Sequence, residues 1–546
     1  MPIQSKMRRF SAILMLLTAL IFILAACARY NAQEAPDVLR SVDDEIANEA
    51  IGGQERQVAA NNAPQAQPVA VTALAVAVVE AEEDAEFDGD SGADMFFENY
   101  GVNPLVDASE DNLSTFAMDV DTASFTLARS YLLDYNQIPP PDAIRPEEFI
   151  NYFASDYAQP DGDNAFAIHV DAAPAPYSED GQLLLRVGIQ GRSIAPEDRD
   201  PALLIFVVDV SGSMNATNRL ELAKQALTIL VSELREDDRV GIVVYADNTR
   251  VVLEPTPASE QSRIISAINT LQTEGSTYAE AGIRLAYGVA LANMQEGENT
   301  RVILISDGVA NVGETGPDAI LNTIQQGVDS GITLSSIGVG MGNFNDVLLE
   351  QLANDGNGNY YYVDNIREAQ RVFVHNLTST LQVIGYDAKI QVEFNPDAVL
   401  SYRLIGYENR NIADEDFRND EVDAGEVGAG HTVTALYEVI VNPQAQPTAT
   451  LATAYIRYED ADSRDVVEVN QPFAIADAYD SFEAAPDDLR LLASIAEFSE
   501  LLRGSPFAEE GSYDAVVAVL ETLVQNNPDV AELVQMVVAA GQLNQE

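Results

Sequence analysis

Four uninterrupted apolar runs constrain this chain more than any other feature: Leu203–Val208, Val240–Tyr245, Val302–Ile305 and Ile332–Val339. A run of strand length without polar alternation belongs to a strand covered on both faces, as in a parallel sheet. Helical periodicity fills the intervals. Arg219–Leu234 sets Ala223, Leu227, Leu230 and Leu234 on one stripe, and Ser259–Leu271, Tyr278–Ala292, Pro317–Val328 and Asp346–Ala353 follow. This alternation predicts an α/β domain: a doubly wound, mostly parallel sheet with helices on both sides.

Ligands of such sheets sit beyond the carboxyl ends of the strands. Leu203–Val208 runs into Asp209-Val210-Ser211-Gly212-Ser213, and Val302–Ile305 runs into Ser306-Asp307-Gly308. A third polar loop, Gly275-Ser276-Thr277, stands just before the helix starting near Tyr278. Two carboxylates and three hydroxyls at one edge form an all-oxygen set suited to a hard divalent cation. Magnesium takes octahedral oxygen at about 2.0–2.1 Å and keeps some waters; manganese or calcium also accepts oxygen ligands. Because hydroxyls are neutral, two carboxylates at most cancel the ion's charge. The ion stays electrophilic toward a carboxylate from outside.

In order and on the right elements, Asp209-x-Ser211-x-Ser213, Thr277 and Asp307 resemble the metal-ion-dependent adhesion site of von Willebrand factor type A domains, with all five positions intact. The resemblance implies that the serines and Thr277 contact the metal and that the acids bind it directly or through water. It extends to both sides. Upstream stand Leu113–Ser124, Pro139-Pro140-Pro141-Asp142-Ala143 and Arg145–Phe153; downstream stand Tyr402–Arg410, Asp423–Glu426 and Gly428–His431. From about Asn99 to the end, the chain is similar to a bacterial family of type A domain lipoproteins with a dedicated N-terminal region and a C-terminal domain of unknown function.

The N-terminus reads as an export signal over residues 1–26. Lys6, Arg8 and Arg9 precede the apolar run Ile13–Ala26, which is short for a transmembrane helix. The run ends in Leu24-Ala25-Ala26-Cys27, which looks like a bacterial lipobox. The chain's single Cys then stands where acylation needs a thiol, and acyl chains hold a protein on a membrane. Residues 27–95, rich in Ala and acids, read as a flexible tether. Val69–Val79 is an apolar interruption too short to span a bilayer, and Asp88-Gly89-Asp90 lacks the acids of a calcium loop.

The remaining divisions are a family-specific region at 96–198, the type A domain at 199–375, a β-rich domain at 376–482 and a helical segment at 483–546. Short alternating segments lie on both sides of the type A domain, including Leu183–Gly191, Lys389–Phe394, His431–Val441 and Thr448–Tyr458. They are expected to pair into one β-sandwich around the insertion. Helical periodicity returns in Asp487–Leu502, Ser512–Val524 and Val530–Ala540. Asp119-Val120-Asp121-Thr122 resembles a phosphotransferase aspartyl motif with Thr one position early. The expectation is that Asp121 or Thr122 caps the helix through Leu127 to Leu133. His169 reads as a strand residue, and the acids of 414–423 read as a solvated loop rather than a calcium site.

Charge narrows the function. With 87 Asp+Glu against 29 Lys+Arg the formal charge is −58, which argues against binding a phosphate backbone, so no nucleic-acid partner is expected. One Cys excludes an intrachain disulfide framework, and His169, His375 and His431 are scattered. The preferred reading is a non-enzymatic, lipid-anchored protein of the bacterial cell envelope that engages a protein partner through an acidic side chain on the metal. A hydrolase using the same metal is the alternative, but no Gly-x-Ser-x-Gly elbow or base accompanies Ser211 or Ser213. A structural envelope protein is the third class.

Overall fold

The computed structural model describes residues 95–546 except 178–180, 217–218, 277, 309–316, 342–344, 421, 423, 510, 525–526 and 546. The export signal, Cys27, the tether, Val69–Val79 and Asp88–Asp90 therefore lie outside the described residues. No helix among the described residues is long and apolar enough to cross a membrane.

Strands β1 (Val106–Asp107), β2 (Leu113–Ala117), β3 (Phe166–Pro174) and β4 (Gln182–Gly191) come first. The central block holds β5 (Ala202–Asp209), β6 (Arg239–Tyr245), β7 (Arg250–Pro257), β8 (Asn299–Ser306), β9 (Ile332–Val339) and β10 (Tyr360–Val363). After it come β11 (Val383–Phe394), β12 (Val399–Ile405), β13 (Val427–Gly428), β14 (Thr432–Val441), β15 (Thr450–Asp460) and β16 (Val466–Ala474).

The central block is a six-stranded sheet in the order β10-β9-β8-β5-β6-β7, parallel except for the antiparallel edge strand β7. Every residue of β5 is buried, and its two faces serve different cores. Leu204, Phe206 and Val208 pack with Leu227, Leu230 and Ile264 from the helices Arg219–Glu233 and Gln261–Asn269. Leu203, Ile205 and Val207 pack with Ile283, Tyr287 and Leu349 from Ala279–Asn293 and Asp346–Asn354. That two-sided burial is why the strand sequence shows no polar alternation. Between β6 and β8 the chain crosses from one flank of β5 to the other, so the carboxyl end of β5 is a topological switch point.

The flanking strands form two further sheets. One has the order β1-β12-β14-β4-β3; in the other, β13-β11-β15-β16 is joined by β2 on β11. β4 pairs antiparallel with β14, so strands from both sides of the inserted domain share a sheet. The two sheets enclose one core that includes Phe166, Val187, Val392, Tyr437 and Ile456, which makes them a sandwich. On the outer face, helices Pro146–Tyr152, Asp487–Arg503, Tyr513–Leu520 and Pro528–Leu543 share a core with Leu184 and Leu436.

The helix Ala123–Arg129 joins the two halves, and all seven of its residues are buried. Ala123 and Leu127 face the type A core, while Phe125 and Ala128 face the helical one. A helix buried on every side is a core helix, and its polar side chains Ser124, Thr126 and Arg129 are each hydrogen-bonded. Arg129 locks the junction from the same helix, donating to Asp364 at 2.6 Å, Glu368 at 3.0 Å and Glu532 at 3.2 Å. The expected cap is not there. Thr122 occupies the N-cap position without a side-chain bond, and the Ser124 N–H donates instead to Glu148 Oε2 at 2.8 Å. Asp121 is turned away, accepting from Tyr360 N at 2.8 Å and from Arg410 at 3.1 Å. A neighbouring helix supplied the acceptor that local sequence was expected to supply.

Candidate metal centre

Asp209 is the last residue of β5 and is fully buried. Its Oδ1 accepts the Ser211 N–H at 2.8 Å, which turns the chain sharply, and its Oδ2 accepts the Ser306 hydroxyl at 3.0 Å. Ser306 ends β8, the neighbour of β5, so these two strand ends are tied directly. The Ser211 and Ser213 hydroxyls share a hydrogen bond of 2.9 Å, and Ser213 Oγ donates to Asp307 Oδ1 at 3.1 Å. The structure thus brings together Asp209, Ser211, Ser213 and Asp307. Thr277 lies outside the described residues.

The loop leading to residue 277 is nevertheless pinned to the same place. Gly212 N donates to Gly275 O at 2.9 Å, and Glu274 N donates to Val210 O at 2.5 Å. Asp247 holds the loop from the other side, accepting the Ser276 N–H at 2.7 Å. A Cβ on Gly275 would fall 1.7 Å from Asp247 Oδ2, so only glycine permits that approach. Asp247 was missed in the sequence; its signal was position, two residues beyond the end of β6 at the same edge.

Arg219 was missed too. It opens the helix Arg219–Glu233, where a cation opposes the macrodipole, so position gave no hint of a role. Its Nη1 donates to Asp307 Oδ2 at 2.7 Å, and its Nη2 donates to Met341 O.

Burial governs the electrostatics. It pushes the Asp209 carboxyl up to about 6, with the charge of Asp307 adding to the rise. Burial also raises Asp307, and the Arg219 guanidinium opposes the rise. The Tyr245 phenol, buried beside Asp209, is pushed up by the same desolvation. Two carboxylates strained in this way gain from an added positive charge. The donors are all oxygen, the chemistry of a hard cation. Among the described residues no three His, Cys, Asp or Glu side chains converge as a metal group, so hydroxyls must complete any shell here. Among the described residues neither serine is hydrogen-bonded to an imidazole; the two hydroxyls bond each other, Ser213 bonds Asp307, and Ser211 also bonds Asp209.

The other motifs do not join this site. His169 lies on β3 with its ring stacked on Tyr157 and Nε2 at 2.9 Å from Ala158 O. In the acidic loop, Asp420 pairs with Arg457 at 2.6 Å, and Glu421 and Asp423 lie outside the described residues.

Residues 204–375 match the von Willebrand factor type A domain, residues 92–185 match the family described as von Willebrand factor, and residues 379–543 match "Uncharacterized protein YfbK, C-terminal". The protein called "Uncharacterized protein YfbK" of Escherichia coli (strain K12) is 36% identical over 444 residues, spanning 77% of this chain and 76% of its own. Human inter-alpha-trypsin inhibitor heavy chain H3 is 24% identical over 273 residues, 46% of this chain but 29% of its own. Among solved structures, the von Willebrand factor type A protein from Catenulispora acidiphila is 15% identical, with a TM-score of 0.40, covering 72% of this chain and 89% of its own. The chain belongs to the YfbK family of proteins with a von Willebrand factor type A domain.

Proposed function

We propose that this protein is a lipid-anchored binding protein of the bacterial cell envelope that holds a protein partner through a divalent cation. Type A domains mediate protein–protein interaction, and nothing in the described site is arranged for catalysis. In this reading Asp209, Ser211, Ser213, Thr277 and Asp307 hold magnesium, and an acidic side chain of the partner completes its shell. Manganese or calcium is also compatible with oxygen donors. Cys27 carries the acyl anchor, and residues 27–95 give the folded part its reach from the membrane.

The observation that carries the reading is the convergence of Ser211, Ser213 and Asp307 within hydrogen-bonding distance at the switch point. A metal there supplies a Lewis-acidic centre for an external carboxylate. The protein's own side chains hold its ligands in place: Ser306 orients Asp209, and Asp247 fixes the loop before residue 277.

The test is partner capture by crosslinking from envelope extracts with and without magnesium. Asp209→Ala or chelation should abolish capture while the remaining domains stay folded. Equal, metal-independent capture by a folded Asp209→Ala variant would sink the proposal.

A further inference from the structure

We infer that Arg219 makes metal and ligand binding at this site interdependent: its buried guanidinium weakens binding of a bare divalent cation and strengthens the loaded cation's demand for an external carboxylate. The inference rests on the metal-dependent reading above and concerns a residue outside its ligand set.

Arg219 is 4% exposed and its charge is permanent, since guanidinium does not deprotonate in proteins. It touches Asp307 Oδ2 at 2.7 Å, on the oxygen not taken by Ser213. The residue is held there from two sides. Met341 O accepts its second nitrogen, and Gly340, at φ +80°, leaves the space its stem occupies. A Cβ at 340 would lie 2.4 Å from Arg219 Nε. A cation at a helix N-terminus is disfavoured by the macrodipole, so the contact with Asp307 offsets a local cost.

The consequence is one of charge. Asp209 and Asp307 together match a divalent cation, but Arg219 has already cancelled one of them. The loaded site then carries an excess positive charge among buried groups, which is costly unless an anion arrives. Among the described residues, the other charges at the rim do little to relieve it. Glu274 is paired with Arg250 at 2.6 Å, and Asp247 is exposed, where water and salt screen it. An external carboxylate relieves the excess directly. By linkage, whatever the metal does for carboxylate affinity the carboxylate does for metal affinity.

The test uses manganese, with acetate as the model carboxylate, on the full chain and its Arg219→Met and Arg219→Lys variants. Free manganese is read by electron paramagnetic resonance, and folding by circular dichroism. Arg219→Met should bind manganese alone more tightly, on the order of tenfold, because a like charge near the ion is gone. Acetate should then raise its manganese affinity less than it raises that of the unmodified chain. Arg219→Lys keeps the charge and should stay within about threefold of the unmodified chain. A folded Arg219→Met variant that binds manganese no more tightly, or more weakly, overturns the inference and leaves the metal site standing. Failure of the unmodified chain and both variants to bind manganese at all overturns the metal reading along with it.

Discussion

Asp209 and Asp307, at the carboxyl ends of β5 and β8, invite comparison with the carboxylates at the amino end of β10, where the type A domain meets the sandwich. There Asp121 binds the first backbone N–H of β10, and Arg410 reaches Asp119 and Asp121 at 3.1 Å and Glu350 at 3.5 Å. Arg145 donates to Asp346 at 2.8 Å and also pairs with Glu148. Both places bury acids against arginine. The junction, however, links separate segments through its arginines, from the loop at 410 to the helix Asp346–Asn354. The sheet edge has hydroxyls between its acids and a loop beside them. Buried acids matched by arginine hold segments together; acids interleaved with hydroxyls at a strand end are the donor set that the proposed cation would use.

Removing the arginine from each place should therefore give opposite results. Arg410→Met leaves Asp119, Asp121 and Glu350 without their shared counter-charge. Breaking a buried pair from one side costs about 3–5 kcal/mol, so the unfolding midpoint in urea should fall sharply and magnesium should not rescue it. At the sheet edge, losing Arg219 is expected to tighten manganese binding. A mild effect of Arg410→Met would mean that the junction is not held by its ion pairs.

The same junction predicts a pH dependence. Glu147 is buried beside Glu408 and Glu148, and burial first, then those charges, raise its carboxyl from 4.5 to about 8. A raised acid binds its proton more tightly folded than unfolded. Between pH 4.5 and 8 the folded state therefore holds the extra proton, and stability falls as pH rises through that window. The full shift corresponds to a loss of roughly 3–5 kcal/mol. Glu147→Gln should remove that group's share of the slope, leaving the shares of the likewise raised Glu148 and Glu497, and stabilise the protein at pH 8. Urea unfolding at pH 5 and pH 8, for both forms, measures it; parallel slopes would contradict the assignment.

The contrast between the two places also explains what the sequence showed. Strand β9 was legible to the residue as Ile332–Val339, and the other parallel runs extend by one to four residues, because burial on both faces leaves an unbroken apolar signal. β10 was not, since its four residues, Tyr360–Val363, make too short a run to stand out. β7 was hidden by its glutamate and prolines, residues suited to an edge strand. Asp209, Ser211, Ser213 and Asp307 were legible because strand ends and short spacing bring them together. Arg219, Asp247 and the Glu148 contact to Ser124 were not, because each depends on a partner distant in sequence. Local pattern identifies groups that converge through one element; it is silent on those that tertiary packing supplies.

The surface loop at 414–423 supplies the third point of the comparison, with the smallest effect. Its Asp420 side chain is 60% exposed and pairs with Arg457 at 2.6 Å; nearby, Arg418 pairs with Glu468 at 2.7 Å. An exposed pair is screened and costs side-chain entropy to hold, so it contributes about 0.2–1 kcal/mol. Asp420→Asn should therefore lower the unfolding midpoint only slightly, and the difference should shrink further in 1 M salt, where the screening length is about 3 Å. Calcium should change neither form. A calcium-dependent rise in stability, lost in Asp420→Asn, would instead make this loop an ion site. Acids would then need neither burial nor hydroxyl neighbours to bind a cation in this protein.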